Sequence, residues 1–187
     1  MPSIPIFPLG SVLFPHMPIA LRIFEERYLK MVGELLESDS PIFGVVLIER
    51  GSEVGGGYER FSFGTTVKII EIKAPEGPLL LLGQGDCRFR IEAWIEERPY
   101  PLAQIEFLEN LVPSEIATLP TLDGIEKTLR RLLFYAESAN LSGSWPSDVS
   151  FSDDPVKRIW QMSGAALLGP LDQQHLLESS DFETLVL

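Results

Sequence analysis

The chain has 187 residues, 45% of them hydrophobic, and 27 acidic against 15 basic side chains give it a net charge of −12. That length and apolar content build one domain or two small ones around a core that needs no staples, and the single cysteine, Cys87, excludes an intrachain disulfide framework or a thiolate metal cluster. The acidity is shared evenly, with 10 basic and 16 acidic residues in 1–110 and 5 and 11 in 111–187, which disfavours nucleic acid and anionic lipid as partners because both are held largely by basic groups.

The opening stretch, IPIFPLGSVLFPHMPIALRIFEERY at residues 4–28, sets Pro5, Pro8, Pro15 and Pro18 among large apolar side chains. Interior prolines remove helical hydrogen bonds and clash with the preceding turn, so the stretch is expected to form short extended pieces, Ile4–Phe7, Val12–Phe14 and Ile19–Ile23, along a sheet margin where proline is tolerated. The same prolines interrupt any signal-peptide core, and the longest apolar runs fall well short of the ~20 residues of a membrane helix. A soluble, cytoplasmic protein is expected, in keeping with its lone cysteine.

Acidic Glu25 and Glu26 then open a predicted helix, where the dipole favours negative charge. Tyr28, Leu29, Met31, Val32, Leu35 and Leu36 follow at helical spacing, and Ser38-Asp39-Ser40-Pro41 ends it. Ile42–Glu49 is apolar and β-branched enough to be a strand buried on both faces. Residues 51–60, with three consecutive glycines, predict a mobile excursion. A meander comes next: a strand over Thr65–Lys73, a turn at Pro75-Glu76-Gly77-Pro78, a return over Leu79–Gln84 and a second turn at Gly85-Asp86. Cys87, Phe89, Ile91, Ala93 and Ile95 alternate with Arg88, Arg90, Glu92, Trp94 and Glu96, which is the pattern of a half-buried strand. Leu102–Glu109 alternates likewise. Beyond Pro113 the period changes to helical. Leu122, Ile125, Leu129, Leu132, Leu133 and Ala136 form one stripe, with Glu126 placed to pair with Arg130. Asp154-Pro155 has the cap-plus-proline form of a helix start, Gly169-Pro170 is expected to stop that helix, a short helix is expected from Asp172 through Leu177, and a final turn from Asp181.

Three motifs in sequence order carry a resemblance. PIFPLGSVLFPHMPIALRIFEERYLKMV resembles the start of the N-terminal substrate-binding domain of Lon proteases, the LON domain family, with its P-x-F-P-L strand (Pro5–Leu9), F-P-x-M-P run (Phe14–Pro18) and I-F-E-x-R-Y helix start (Ile23–Tyr28). FGTTVKIIEIKAPEGPLLLLGQGDCRFRIEAW looks like the family's G-T, acid-glycine turn and G-x-x-R-F-x-I strand, and LLGPLDQQHLLESSDFETLVL is similar to the end of its helical part. The resemblance implies an α+β fold: a small PUA-like β-barrel with one helix over residues 1–112, followed by a C-terminal helical bundle over 113–187. It also implies a non-enzymatic module that binds unfolded or tagged polypeptide segments, with a separate protease as a candidate recipient, without cofactor, nucleic acid or membrane. The ATPase and Ser–Lys protease modules of a complete Lon protease leave no trace in these residues. No G-x-x-x-x-G-K-[ST] loop occurs, since the glycines of 51–57 lack the lysine that must reach the phosphates, and a stand-alone member of the family is expected.

Chemistry-bearing side chains are sparse. His16 in the FPHMP turn and His175 on an amphipathic helix are expected to be structural, and with Cys87 they cannot supply a zinc site without carboxylates. No G-x-S-x-G elbow is present. Arg88 and Arg90 share a face with Glu92 and Glu96, so a solvated sheet face is expected there. The surplus of bulk near the opening is more informative. Phe14, Met17, Phe24 and Tyr28 are either core or the lining of a shallow apolar groove between the proline loop and the helix, where methionine would supply adaptability. The resemblance adds Glu25, Glu26 and Arg27 as a polar rim. An RNA-binding PUA-like protein and a cryptic hydrolase are the alternatives.

Overall fold

The computed structural model describes residues 1–39, 41–50, 59–74, 76–95, 99–111 and 118–186. Within them six strands and one helix fall in Met1–Glu109 and four helices in Asn110–Leu187, the two units into which the chain divides. The strands are β1 (Ser3–Leu9), β2 (Pro18–Ile23), β3 (Ile42–Arg50), β4 (Glu59–Lys73), β5 (Leu79–Trp94) and β6 (Leu102–Phe107), with helix α1 (Glu26–Leu36) between β2 and β3. They form a mixed sheet in the order β2-β5-β4-β3-β1-β6, in which β1 and β3 are parallel and the other pairs antiparallel. The far end of β5 also pairs with β6, so the order returns on itself.

The proline-rich opening does not lie wholly at a margin. β2 is an edge strand, but β1 has neighbours on both sides, pairing with β6 through Ser3–Pro5 and with β3 through Ile6–Leu9. Its prolines fit because the partners change halfway along. Ile6 N–H donates to Pro101 O at 2.8 Å on the β6 side. Successive backbone groups alternate sides, so Pro8 lacks its N–H on the β6 side beyond the end of that pairing, and Pro5 lacks its own on the β3 side before that pairing starts. Neither proline removes a ladder bond.

Val12–Phe14 is not a strand. Its carbonyls are taken up by a turn and a side chain instead. Thr65 Oγ1 donates to Leu13 O at 2.6 Å, and Met17 N–H donates to Phe14 O at 3.3 Å, closing a turn with Pro15 second and His16 third. His16 has φ of 64°, the left-handed conformation that a type II turn demands at its third position. Nor is there a turn at Gly85-Asp86: β5 runs straight through it. His16 N–H donates to Gly85 O at 2.8 Å and Gly85 N–H to Met17 O at 2.9 Å, which makes His16–Met17 a bulge against Gly85. A Cβ on Gly85 would stand 2.3 Å from Phe14 O. This glycine serves close approach, not chain reversal.

The core of this unit is built on Ile6, Phe43, Val67, Leu81, Phe89 and Ile105, all inaccessible to solvent. Phe89 fills space that a Cβ on Gly64 would occupy, at 2.6 Å from its ring, and burying such a ring contributes about 2–3 kcal/mol. The alternation of β5 holds through Phe89 and Ile91, then shifts between Ile91 and Ala93, so that Ala93, Trp94 and Ile95 are all exposed. Arg88, expected on a wet face, is 6% exposed, with its guanidinium 3.5 Å from Glu109 O. On α1, Tyr28, Met31, Val32 and Leu35 are buried while Leu29 and Leu36 face solvent. The excursion expected over 51–60 lies outside the described residues as far as position 58, as do Ser40, Pro75, Glu96 and Arg98.

In the second unit, α2 (Thr118–Ser138) and α3 (Pro155–Ala165) are followed by α4 (Pro170–Leu177) and α5 (Phe182–Val186). Asp154 caps α3, its Oδ1 accepting from Lys157 N–H at 2.9 Å. α3 ends at Ala165, ahead of Gly169-Pro170, which instead begins α4, with proline in the first turn where its missing N–H costs nothing. Asp181 caps α5 through Thr184 N–H at 2.8 Å. Leu122, Leu133, Ile159, Trp160 and Phe182 form the interior. Glu126 of α2 accepts from Arg130 at 2.8 Å and also from Arg158 of α3, which holds Asp123 at 2.8 Å. No helix among the described residues is long and apolar enough to cross a membrane.

Candidate functional site

The residues singled out near the opening separate into two groups. Phe14, Met17 and Tyr28 are buried, the first two around the bulge against Gly85 and the third on the inner face of α1. Phe24 is 60% exposed. It stands between the end of β2 and Glu25, the residue preceding α1, and lines a concavity of about 350 Å³ together with Phe7, Leu9, Glu25 and Tyr28. The C-terminal half of β1 thus contributes one side and Ala20–Ile23 of β2 the other.

The polar frame of this concavity is rigid. Glu25 has extended backbone and its carbonyl accepts from the N–H groups of Tyr28 and Leu29, both at 3.0 Å, so it starts the helix through its main chain. Its side chain is thereby free to hold Arg27, whose Nη2 lies 3.0 Å and Nε 3.1 Å from Glu25 Oε2. The guanidinium also stacks over the Tyr28 ring at 4.6 Å, and that ring packs on Phe7 at 4.3 Å between centroids, with Phe7 packed in turn on Phe43 at 6.5 Å. An exposed phenylalanine therefore sits beside a fixed aromatic floor and a neutralised ion pair. Glu26 lies exposed in the first turn of α1. Such a site can take an apolar side chain; it presents no group set up for bond making.

Titratable groups outside the concavity have local partners of their own. The Cys87 thiol is half-buried, 3.6 Å from Asp86 Oδ2. Burial first, and then the carboxylate, push it above the ordinary thiol range, which leaves little thiolate at neutral pH. Tyr100 donates its hydroxyl to Glu34 Oε2, and burial together with that bond raises it to about 12, so the phenol stays protonated. His16 acts through its backbone, as turn and bulge residue, and His175 is exposed in the last turn of α4. Among the described residues no three His, Cys, Asp or Glu side chains converge as a metal site would need.

The second unit has larger clefts of about 540 Å³, one lined by Glu126, Arg130 and Arg158 with the exposed Phe134 and Tyr135, the other by apolar residues of α2 and α3. In the first, Arg130 and Arg158 are already engaged by Glu126 and Asp123. Sequence reading missed Phe7 and Leu9 as site residues. Their signal, the P-x-F-P-L strand, was visible, but not that this strand would form a wall opposite β2.

Comparison with known proteins converges on one family. The family model for the ATP-dependent protease La (LON) substrate-binding domain matches residues 3–186. Lon protease of Escherichia coli (strain K12) is 28% identical over 188 residues, covering 96% of this chain and 23% of the relative, and Lon protease 2 of Myxococcus xanthus is 30% identical over 115 residues, 60% of this chain and 14% of the relative. The chain thus spans less than a quarter of the length of these curated relatives. A Lon N-terminal domain protein from Xanthomonas campestris superposes with a TM-score of 0.70 at 25% identity, covering 97% of this chain and 92% of that one. The N-terminal domain of Lon protease from the Mycobacterium avium complex, at 15% identity, shares the fold with a TM-score of 0.68, covering 99% of this chain and 94% of that one.

Proposed function

The chain belongs to the LON substrate-binding domain family, and from that premise we propose that it is a polypeptide-recognition module that captures protein segments and performs no chemistry on them. The returning strand order of the first unit is read as a PUA-like barrel and the helices after residue 112 as a bundle. The apolar concavity at the junction of β2 and α1 is the capture site, with Phe24 as anchor, Tyr28 as floor and Glu25, Glu26 and Arg27 as rim. Hand-over of the bound segment to a separate protease, in the cytoplasm, is the use that fits such a module.

The reading is carried by Phe24. Phe24 is 60% exposed and lines an apolar hollow with Phe7, Leu9 and Tyr28, and it is this continuity of an exposed ring with a concave apolar surface that supports a binding role. Phe14 and Met17, buried at the bulge against Gly85, enter the proposal as support for the first end of β2, not as surface of the site. Met17→Glu would therefore unfold the turn before it reported on binding, and Phe24→Ala is the sharper variant. Reduced, carboxymethylated lactalbumin serves as the unfolded probe in fluorescence anisotropy. Phe24→Ala is expected to weaken its binding about tenfold while leaving thermal unfolding unchanged, as exposed substitutions do. Equal affinity in the folded variant would remove the site.

A further inference from the structure

The main chain of β2 decides how a guest can bind. Gly85 N–H donates to Met17 O, so Met17 directs its carbonyl toward β5, and the register continues Pro18–Gln84, Ile19–Gly83, Ala20–Leu82, Leu21–Leu81 and Arg22–Leu80. Backbone groups alternate sides along a strand. Ile19, Leu21 and Ile23 therefore bond to β5, and the N–H and C=O groups of Ala20 and Arg22 point the other way. Among the described residues no strand pairs with that side of β2. Ala20 and Arg22 are exposed, and both line the concavity that Phe24 overhangs.

Natural sheets blunt a free edge with proline, charge or a bulge. Here the bulge at His16–Met17 and the proline at position 18 guard only the first end of β2. Beyond them Arg22 is the charged side chain of the strand, and among the described residues no strand pairs with this stretch of edge beside the exposed Phe24 ring. Resting on the reading of this concavity as a polypeptide-binding site, we propose that the guest binds as an added β-strand on the free edge of β2. It pairs with the main chain of Ala20 and Arg22 and turns one apolar side chain toward Phe24. The chemistry of the guest follows: extended, free of proline over the paired residues, alternating in polarity, and favoured by an acidic side chain near Arg22, which has no ion-pair partner among the described residues.

The test uses a fluorescein-labelled peptide that alternates valine and threonine around one phenylalanine and one glutamate, with a series of the same peptide N-methylated at one amide at a time. Wild type is expected to bind the parent peptide. Methylation is expected to weaken binding about tenfold at alternate amides only, because every second amide faces β2. Ala20→Pro removes an outward N–H without touching the β2–β5 ladder, and is expected to cost a similar factor. If that variant fails to fold, the methylation series on wild type decides alone. Tolerance of methylation at every amide, with Phe24→Ala still weakening capture of lactalbumin, would overturn the added strand and leave the capture site standing. Failure of wild type to bind either probe would overturn both. A wild-type dimer in sedimentation that Ala20→Pro converts to monomer, without guest binding, would assign the edge to a second copy and overturn the proposal.

Discussion

In residues 1–109 most elements are positioned by partners remote in sequence: β1 by β3 and β6, β2 by β5, and the turn at Phe14–Met17 by Gly85. In residues 110–187 the ordering is mostly near at hand. Arg130 pairs with Glu126 one turn away, Asp154 caps α3 and Asp181 caps α5. Longer reaches are fewer: Arg158 holds Glu126 and Asp123, and Arg130 donates to Ser147 O at 3.0 Å. The difference shows why the candidate site belongs to the first region. A concavity between the side of one strand and the free edge of another needs long-range pairing to exist, whereas a helical stripe exists wherever its period is written.

Three substitutions sharpen that contrast. The largest effect is expected from Gly85→Val, which places a branched side chain against Phe14 O, 2.3 Å from where its Cβ would stand. Urea unfolding should register a loss of about 3 kcal/mol or more, and a loss under 1 kcal/mol would mean that the turn moves aside freely.

Arg158→Ala comes next, at about 1–2 kcal/mol, because the network is partly exposed and Arg130 still compensates Glu126. Its signature is a pH dependence. Burial raises the Glu126 carboxyl, but the hydrogen bonds from Arg158 and Arg130 outweigh it and leave the group below its ordinary value of 4.5. A carboxylate depressed in the folded state stabilises above its unfolded value and loses that contribution as pH falls through the folded one. Wild type should therefore weaken as pH drops below about 4.5, with Arg158→Ala showing a shallower slope; parallel slopes would assign the acid sensitivity to other groups.

The smallest change is His16→Gly. Relief of a left-handed non-glycine residue should stabilise by up to about 1 kcal/mol, partly offset by unfolded-chain entropy. A destabilised glycine variant would show that the imidazole itself holds the turn.

Much of this was legible beforehand. Proline-bounded apolar composition over Ile19–Ile23 and alternation over Cys87–Ile91 identified strands, the stripe from Tyr28 identified α1, and Asp154-Pro155 identified a capped start. Each is a local pattern whose composition, period or cap states its own geometry. The misreadings were of another kind. Gly85-Asp86 has the composition of a turn, yet it is a strand segment thinned to admit Phe14. Val12–Phe14 has strand composition but lost its partners to a turn. Arg88 follows the wet alternation of its strand and is nonetheless buried.

The candidate site divides along the same line. Phe24 and the Glu25–Arg27 rim follow from a motif contiguous in the chain, but Phe7 and Leu9 join them only because β1 changes partners at its middle. The amino-acid order by itself determined which segments extend, which coil and where helices start, since backbone preference and side-chain periodicity act over a few residues. Only tertiary structure decided that one edge of β2 is unpaired among the described residues, that Phe24 is exposed while Phe14 is not, and which glycine is a point of contact. Those outcomes depend on which distant surfaces occupy the same space.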